Sequence, residues 1–160
     1  MRKICFFMLL FMCFTISNSS SLAYADETII LSKGQTIYVP AYSHIYSGDR
    51  EKPFLLTVTV SIRNINPKQP IKITTVDYYE TQGNLLTKFM ETPVTLKPLA
   101  SIRYVIPEQD KAGGSGANFM VDWKSDKFVN PPIVESIMIG AKSGQGISFT
   151  SRGQAISTTE

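Results

Sequence analysis

The residues with most to offer chemically lie in one short run, where Tyr38, Tyr42, His44 and Tyr46 all sit at even positions. His44 is the sole histidine of the 160-residue chain. A Ser-His-Asp site would have to use it, and the sequence holds no nucleophile elbow to present a serine. Tyrosine rings at alternate positions suit a different task. They offer apolar area with a polar tip, which stacks on sugars or anchors a protein partner.

The other chemical candidates are thinner. A metal site would have to join His44 to distant carboxylates such as Asp49 or Glu51. Met90, Met120 and Met138 could hold a soft copper ion, but they fall on separate strands, where methionine commonly fills the core. Asp122 and Asp126 lack the loop pattern of a calcium hand. Asp77 with Glu80, or Asp122 with Glu135, could meet across strands, as surface carboxylates do without glycoside chemistry. Gly113-Gly114-Ser115-Gly116 invites a phosphate-loop reading, yet no Lys-Ser/Thr follows and the next segment is strand-like, so no helix dipole stands behind it. Lys142-Ser143 has no glycine loop before it. The glycines are read as turns, and the expectation is of no catalytic residue, no metal and no cofactor.

The elements that would position these residues are strands. Leu56, Val58, Val60 and Ile62 alternate with Thr57, Thr59, Ser61 and Arg63, the period of a strand with one buried and one wet face. Asn64-Ile65-Asn66-Pro67-Lys68-Gln69-Pro70 breaks the run with turn formers. Ile71 and Ile73, then Val76 and Tyr78, restart it before a second break at Gln82-Gly83-Asn84. The parity change between Ile73 and Val76 predicts a bulge near Thr74-Thr75. This pair is read as the centre of an antiparallel protein. Around it, strands are expected at 28–31, 35–46, 85–90, 102–106, 119–124, 133–140 and 147–151, with 93–98 as an extended connection. In the 35–46 strand Ile37, Val39, Ala41 and Ile45 face the core. The tyrosines, His44 and Pro40 face away, and Pro40 marks an edge strand or a break. An edge there would accept a partner strand. Trp123 reads as a core anchor.

Composition and termini bound the class. Arg2 and Lys3, an apolar run over 4–16 and Ala23-Tyr24-Ala25 form a signal peptide, with cleavage expected after Ala25. The apolar run falls short of the roughly 20 residues a membrane span needs. Cys13 does not read as a lipid attachment site, because bulky Met12 precedes it. Both cysteines, Cys5 and Cys13, leave with the leader, so the mature chain is disulfide-free in a compartment that permits disulfides. The charge of +3 includes Arg2 and Lys3. The mature chain is therefore near neutral and lacks the concentrated basic face nucleic acid requires.

Several phrases carry a resemblance. Tyr38-Val39-Pro40-Ala41-Tyr42-Ser43-His44-Ile45-Tyr46, Ser61-Ile62-Arg63-Asn64, Val76-Asp77-Tyr78-Tyr79, Gly113-Gly114-Ser115-Gly116-Ala117-Asn118-Phe119, Asn130-Pro131-Pro132 and Gly144-Gln145-Gly146-Ile147-Ser148-Phe149 resemble domain-of-unknown-function family 3124, a set of exported bacterial proteins. That resemblance spans about 34–153 and brings no catalytic residue with it. More loosely, 56–86 looks like the core of immunoglobulin-like adhesion repeats and of water-stress and late-embryogenesis sandwiches.

The sequence thus predicts a cleaved leader over 1–25, one all-β immunoglobulin-like antiparallel sandwich over 26–153 with about seven to nine strands, and a polar tail over 154–160. It is expected to be a non-catalytic binding or accessory module, periplasmic or else secreted. Its protein or glycan partner would meet Tyr38, Tyr42, His44 and Tyr46. The Gly113–Gly116 turn and the Gly144-Gln145-Gly146 loop would be possible neighbours of that surface. A small metal or ligand carrier, or a small hydrolase, are the alternatives, each resting on His44.

Overall fold

Apolar alternation makes most of the chain strand. The computed structural model describes residues 30–46, 51–142 and 144–159. The expected leader, its cleavage site, the start of the strand at 28–31 and the turn at 47–50 lie outside the described residues. In chain order the strands are β1 (Ser32–Pro40), β2 (His44–Tyr46), β3 (Pro53–Leu55), β4 (Thr57–Arg63), β5 (Ile71–Tyr79), β6 (Leu85–Lys88), β7 (Val94–Leu96), β8 (Ser101–Ile106), β9 (Asn118–Val129), β10 (Ile133–Lys142), β11 (Gln145–Arg152) and β12 (Gln154–Thr159). A 3-10 turn occupies Gly114–Gly116. Among the described residues there is no α-helix, and so none long and apolar enough to cross a membrane.

Two antiparallel sheets share one core. The larger runs β12-β1-β9-β5-β6, with β7 also on β5; the smaller runs β11-β10-β4-β8. β2 and β3 form a separate ribbon. Val58, Val60, Ile62 and Met138 from the smaller sheet meet Val39, Val76, Phe119, Val121 and Trp123 from the larger in a single buried cluster. Each such aliphatic side chain, taken fully from water, contributes about 1.5–3 kcal/mol. Trp123 is 1 % exposed, the core anchor its strand pattern predicts. The all-β, antiparallel, sandwich-like class stands as expected.

Topology departs from expectation at four places. β4 and β5 are not sheet neighbours; the turn between them carries the chain from one sheet to the other. Alternation sets which face a strand buries, but it does not set the partner. The segment 93–98 is not merely a connection, because Val94–Leu96 pairs with β5. The expected polar tail is β12, paired with β1. Its described side chains are exposed on both faces, so its sequence lacks the apolar alternation that would announce a strand. Twelve strands among the described residues therefore replace the seven to nine expected.

β1 is the fourth departure, since it lies between β9 and β12 and is not an edge. Pro40 is its last residue. Ala41 donates to the Ala117 carbonyl across the β9 side, so the Pro40 nitrogen faces the other side, beyond the last β12 pair, Tyr38 with Gln154. No donor is wanted there, which is where proline is tolerated in a sheet. The edge that would accept a partner strand must be sought elsewhere. β1 begins at Ser32, after rather than within the strand expected at 28–31.

Candidate binding site

The segment after β1 is the bridge that carries the aromatic residues. Ser43 N donates to the Gly114 carbonyl at 2.9 Å, and Leu56 N donates to the Ser43 carbonyl at 2.9 Å. The chain thus leaves the larger sheet and joins the line of β3 and β4. Phe54, Leu56, Val58, Val60 and Ile62 are all buried, with Ser61 the one buried residue of the opposite parity, so that line keeps one inward parity. Leu56 N reaches Ser43, and Asn64 N reaches the Ala100 carbonyl just before β8. β2 and β8 therefore follow one another along the same side of β3 and β4.

This placement divides the four candidates. His44 pairs with Leu55 and Tyr46 with Pro53, on the face turned away from the core, as are Thr57 and Thr59. Their rings meet edge-on, with centroids 5.3 Å apart, and His44 Nε2 lies 3.3 Å from the Tyr46 hydroxyl. Tyr46 is 52 % exposed, whereas His44 is half-buried and its Nδ1 has no hydrogen-bond partner among the described residues. Tyr42 turns toward the core and packs edge-on against Phe149 at 5.7 Å. Tyr38 lies on the outer face of the other sheet, between Met120 and Gln154. The expected four-residue stripe is thus a pair, His44 and Tyr46. The run at 41–43 leaves regular strand geometry, so the assumed alternation does not persist through it.

The two glycine loops meet the site differently. Gly114 touches it through the Ser43 bond, and Gly113 makes room for Tyr78. A Cβ at Gly113 would stand 1.8 Å from the Tyr78 hydroxyl, which bonds Ser43 at 2.9 Å. That loop is a packing device. The ribbon also rests on β10, where a Cβ at Gly140 would stand 2.4 Å from the Leu55 carbonyl. The expected Gly144-Gln145-Gly146 loop is mostly strand, since Gln145 and Gly146 open β11 and pair with Lys142 and Ala141 beyond this contact.

Of the residues the catalytic and metal alternatives would use, Asp49 lies outside the described residues. His44 has Tyr46 as its side-chain partner, and Ser43 is fully buried against Tyr78. Among the described residues no three His, Cys, Asp or Glu side chains converge. Met138 is wholly buried, while Met120 lies on the opposite sheet among outward positions. Asp122 bonds Thr36 on one sheet and Glu135 stands on the outer face of the other, so this carboxylate pair does not meet.

Register also assembles a group that no local pattern announces. Arg152, Glu135, Ser61 and Arg103 form one cross-strand row on the outer face of the smaller sheet. Thr150, Ile137, Thr59 and Val105 form the next. A depression of about 580 Å³ opens here, lined by Thr59, Ser61, Arg63, Ser101, Arg103 and Val105, with Ile102 and Ile137. Arg63 Nε lies 3.5 Å from Glu135, an exposed pair that contributes little to stability. The arginines come from three strands, so only the pairing places them on one face.

An all-β, antiparallel, sandwich-like domain is the class this geometry defines. The chain belongs to the family described as protein of unknown function (DUF3124), whose model matches residues 34–156. No curated protein matches the sequence. The solved structure of Thermotoga maritima 1070 is similar at 12 % identity and a TM-score of 0.44, covering 77 % of this chain and 93 % of that one.

Proposed function

We propose that the protein is an exported, non-catalytic binding or accessory module built on an immunoglobulin-like sandwich, working in the periplasm. The outer face of its smaller sheet engages a partner protein, with His44 and Tyr46 at one end and Arg63 and Arg103 at the other. The observation that carries this reading is the run of exposed apolar groups between those ends. Val105 and Ile139 are 44 % and 53 % exposed there, beside the 52 % exposed Tyr46. Apolar area ringed by aromatic and arginine side chains is the composition of protein interfaces.

The test is capture from the exported fraction of the host, followed by identification of the captured protein and reconstitution with it purified. Tyr46→Ala should abolish capture while stability stays within about 0.5 kcal/mol, as for a surface substitution. Reconstituted binding that Tyr46→Ala leaves intact would remove this face from the reading.

A further inference from the structure

We infer that the free edge of β8 accepts an extended, acidic segment of a partner protein as an added antiparallel strand; this deepens the reading of the protein as a binding module and rests on it. The argument begins with backbone parity. β8 pairs with β4 over six consecutive residues without a bulge, from Ser101 opposite Arg63 to Ile106 opposite Val58. Asn64 N donates to the Ala100 carbonyl in the same register. Residues of even number in β8 therefore turn their N–H and C=O toward β4, and odd ones turn theirs outward. Ser101, Arg103 and Val105 are the outward set. Among the described residues no hydrogen bond reaches their backbone groups. An unbroken row of unpaired donors and acceptors is a template for another strand.

The other edges are less apt. β12 bulges at Ile156, because Thr36 faces Ser157 while Ile37 faces Ala155. The far side of β5 is divided between the short strands β6 and β7, with a further register shift at Tyr78. β11 is regular, but its Arg152 stands opposite Glu135, which offsets its charge.

Charge then specifies the partner. The same three residues of β8 line the depression, and Arg103 has no carboxylate at ion-pair distance among the described residues. In an added strand, side chains opposite Ser101, Arg103 and Val105 would share their face, with Cβ atoms about 5 Å away. An acidic residue opposite Arg103 forms a forked, charge-assisted pair. A second one opposite Ser101 reaches Arg63, which sits across from Ser101. An apolar residue suits Val105. Read from its N-terminus, the partner is apolar, any residue, acidic, any residue, acidic.

Selection of a displayed library of random short peptides on the protein tests this. Val105→Pro removes one outward N–H and leaves the bonds to β4 in place; thermal melting establishes that it folds. Selected peptides should carry acidic residues at alternate positions and bind Val105→Pro about tenfold more weakly or worse, the loss of about one backbone hydrogen bond. Arg103→Glu, which changes no backbone group, should shift selection to basic peptides. On binding, amide exchange at Ser101, Arg103 and Val105 should slow.

The inference is overturned if no peptide is enriched, if enriched peptides lack acidic alternation, or if Val105→Pro binds them as well as the parent. It is also overturned if those amides slow with protein concentration alone, which would make the occupant a second copy of this chain. Should it fail while Tyr46-dependent binding of the reconstituted partner persists, the broader function stands without it; loss of both removes both.

Discussion

The hydroxyls of Ser43 and Tyr78 meet 2.9 Å apart with both residues at 0 % exposure, tying the segment after β1 to β5. Neither group can turn to water, so each depends on the other for satisfaction. Tyr78→Phe should cost about 1–3 kcal/mol by leaving the Ser43 hydroxyl unpaired, and Ser43→Ala a similar amount. The double variant should lose less than the sum, since it removes both polar groups together. Urea unfolding of the four proteins gives the coupling; strict additivity would mean the two hydroxyls do not depend on each other.

The same pair predicts alkaline behaviour. Burial raises the Tyr78 phenol above its ordinary 10.0, and the Asp110 charge adds to this, while the Ser43 hydrogen bond opposes it. The folded state thus holds the proton more tightly than the unfolded state. The stability from the neutral phenol is fully present below pH 10.0 and is lost as pH rises through the raised folded value. Tyr78→Phe should flatten this alkaline decline; an unchanged pH profile would mean other groups govern it.

Gly153 permits the step from β11 in one sheet to β12 in the other. Its N–H donates to the Val134 carbonyl at 2.8 Å. A Cβ would stand 2.7 Å from Ile37 Cγ2 and 3.1 Å from the Val134 carbonyl oxygen. Gly153→Ala should therefore destabilise by about 1–3 kcal/mol through overpacking, and amide exchange in β12 should accelerate first. At Gly146 a Cβ would meet nothing within 4 Å and no left-handed φ is required, so Gly146→Ala serves as the comparison. Equal effects at the two sites would remove the packing argument.

What the sequence made legible was the facing of strands. Val58, Val60 and Ile62 face inward, as do Phe119, Val121 and Trp123, because burial selects one parity. Even the bulge was legible: Ile73 faces Trp123 while Thr75 faces Asp122, leaving Thr74 as the extra residue. Partner choice was not. Tyr38 and Tyr46 share a parity, yet they stand on different sheets because the chain crosses over at 41–43. Arg63, Arg103 and Arg152 each look like an ordinary wet-face residue in their own strand. Their sharing one face depends on two registers that involve residues far apart in sequence.

Asn64 governs the crossing from β4 to β5. It is 2 % exposed, and its Nδ2 lies 2.9, 3.3 and 3.1 Å from the carbonyls of Gln69, Leu96 and Lys97. Its Oδ1 accepts from Asn66 N. One side chain thus holds the turn closed and pins the end of β7. Asn64→Ala should cost about 2–4 kcal/mol by removing these bonds and leaving the Asn66 N–H without its acceptor. Asn64→Asp should be worse at neutral pH, because it sets a carboxylate against carbonyl oxygens, and acid should relieve it in part. Thermal melts of both across pH check this; an aspartate tolerated better than alanine at neutral pH would sink it.

Glu80 closes the turn between β5 and β6 and should make it acid-sensitive. Its carboxylate accepts from Gln82 N at 2.9 Å, and from the Asn84 backbone N at 3.1 Å and its side-chain amide. The Gln82 bond is the largest cause holding its pKa below the ordinary 4.5, with the Asn84 bonds acting in the same direction against desolvation. All of these bonds favour the charged form. Stability from the turn is therefore present above pH 4.5 and is lost as pH falls through the lowered folded value. Glu80→Gln should remove this dependence, so the advantage of the parent over the variant should shrink in acid. Carboxyl titration by NMR, with amide exchange at Gln82 and Asn84, reads it directly. A Glu80 that titrates at or above the ordinary value would mean the charge does not hold the turn, and the register of β6 on β5 would then rest on its backbone bonds alone.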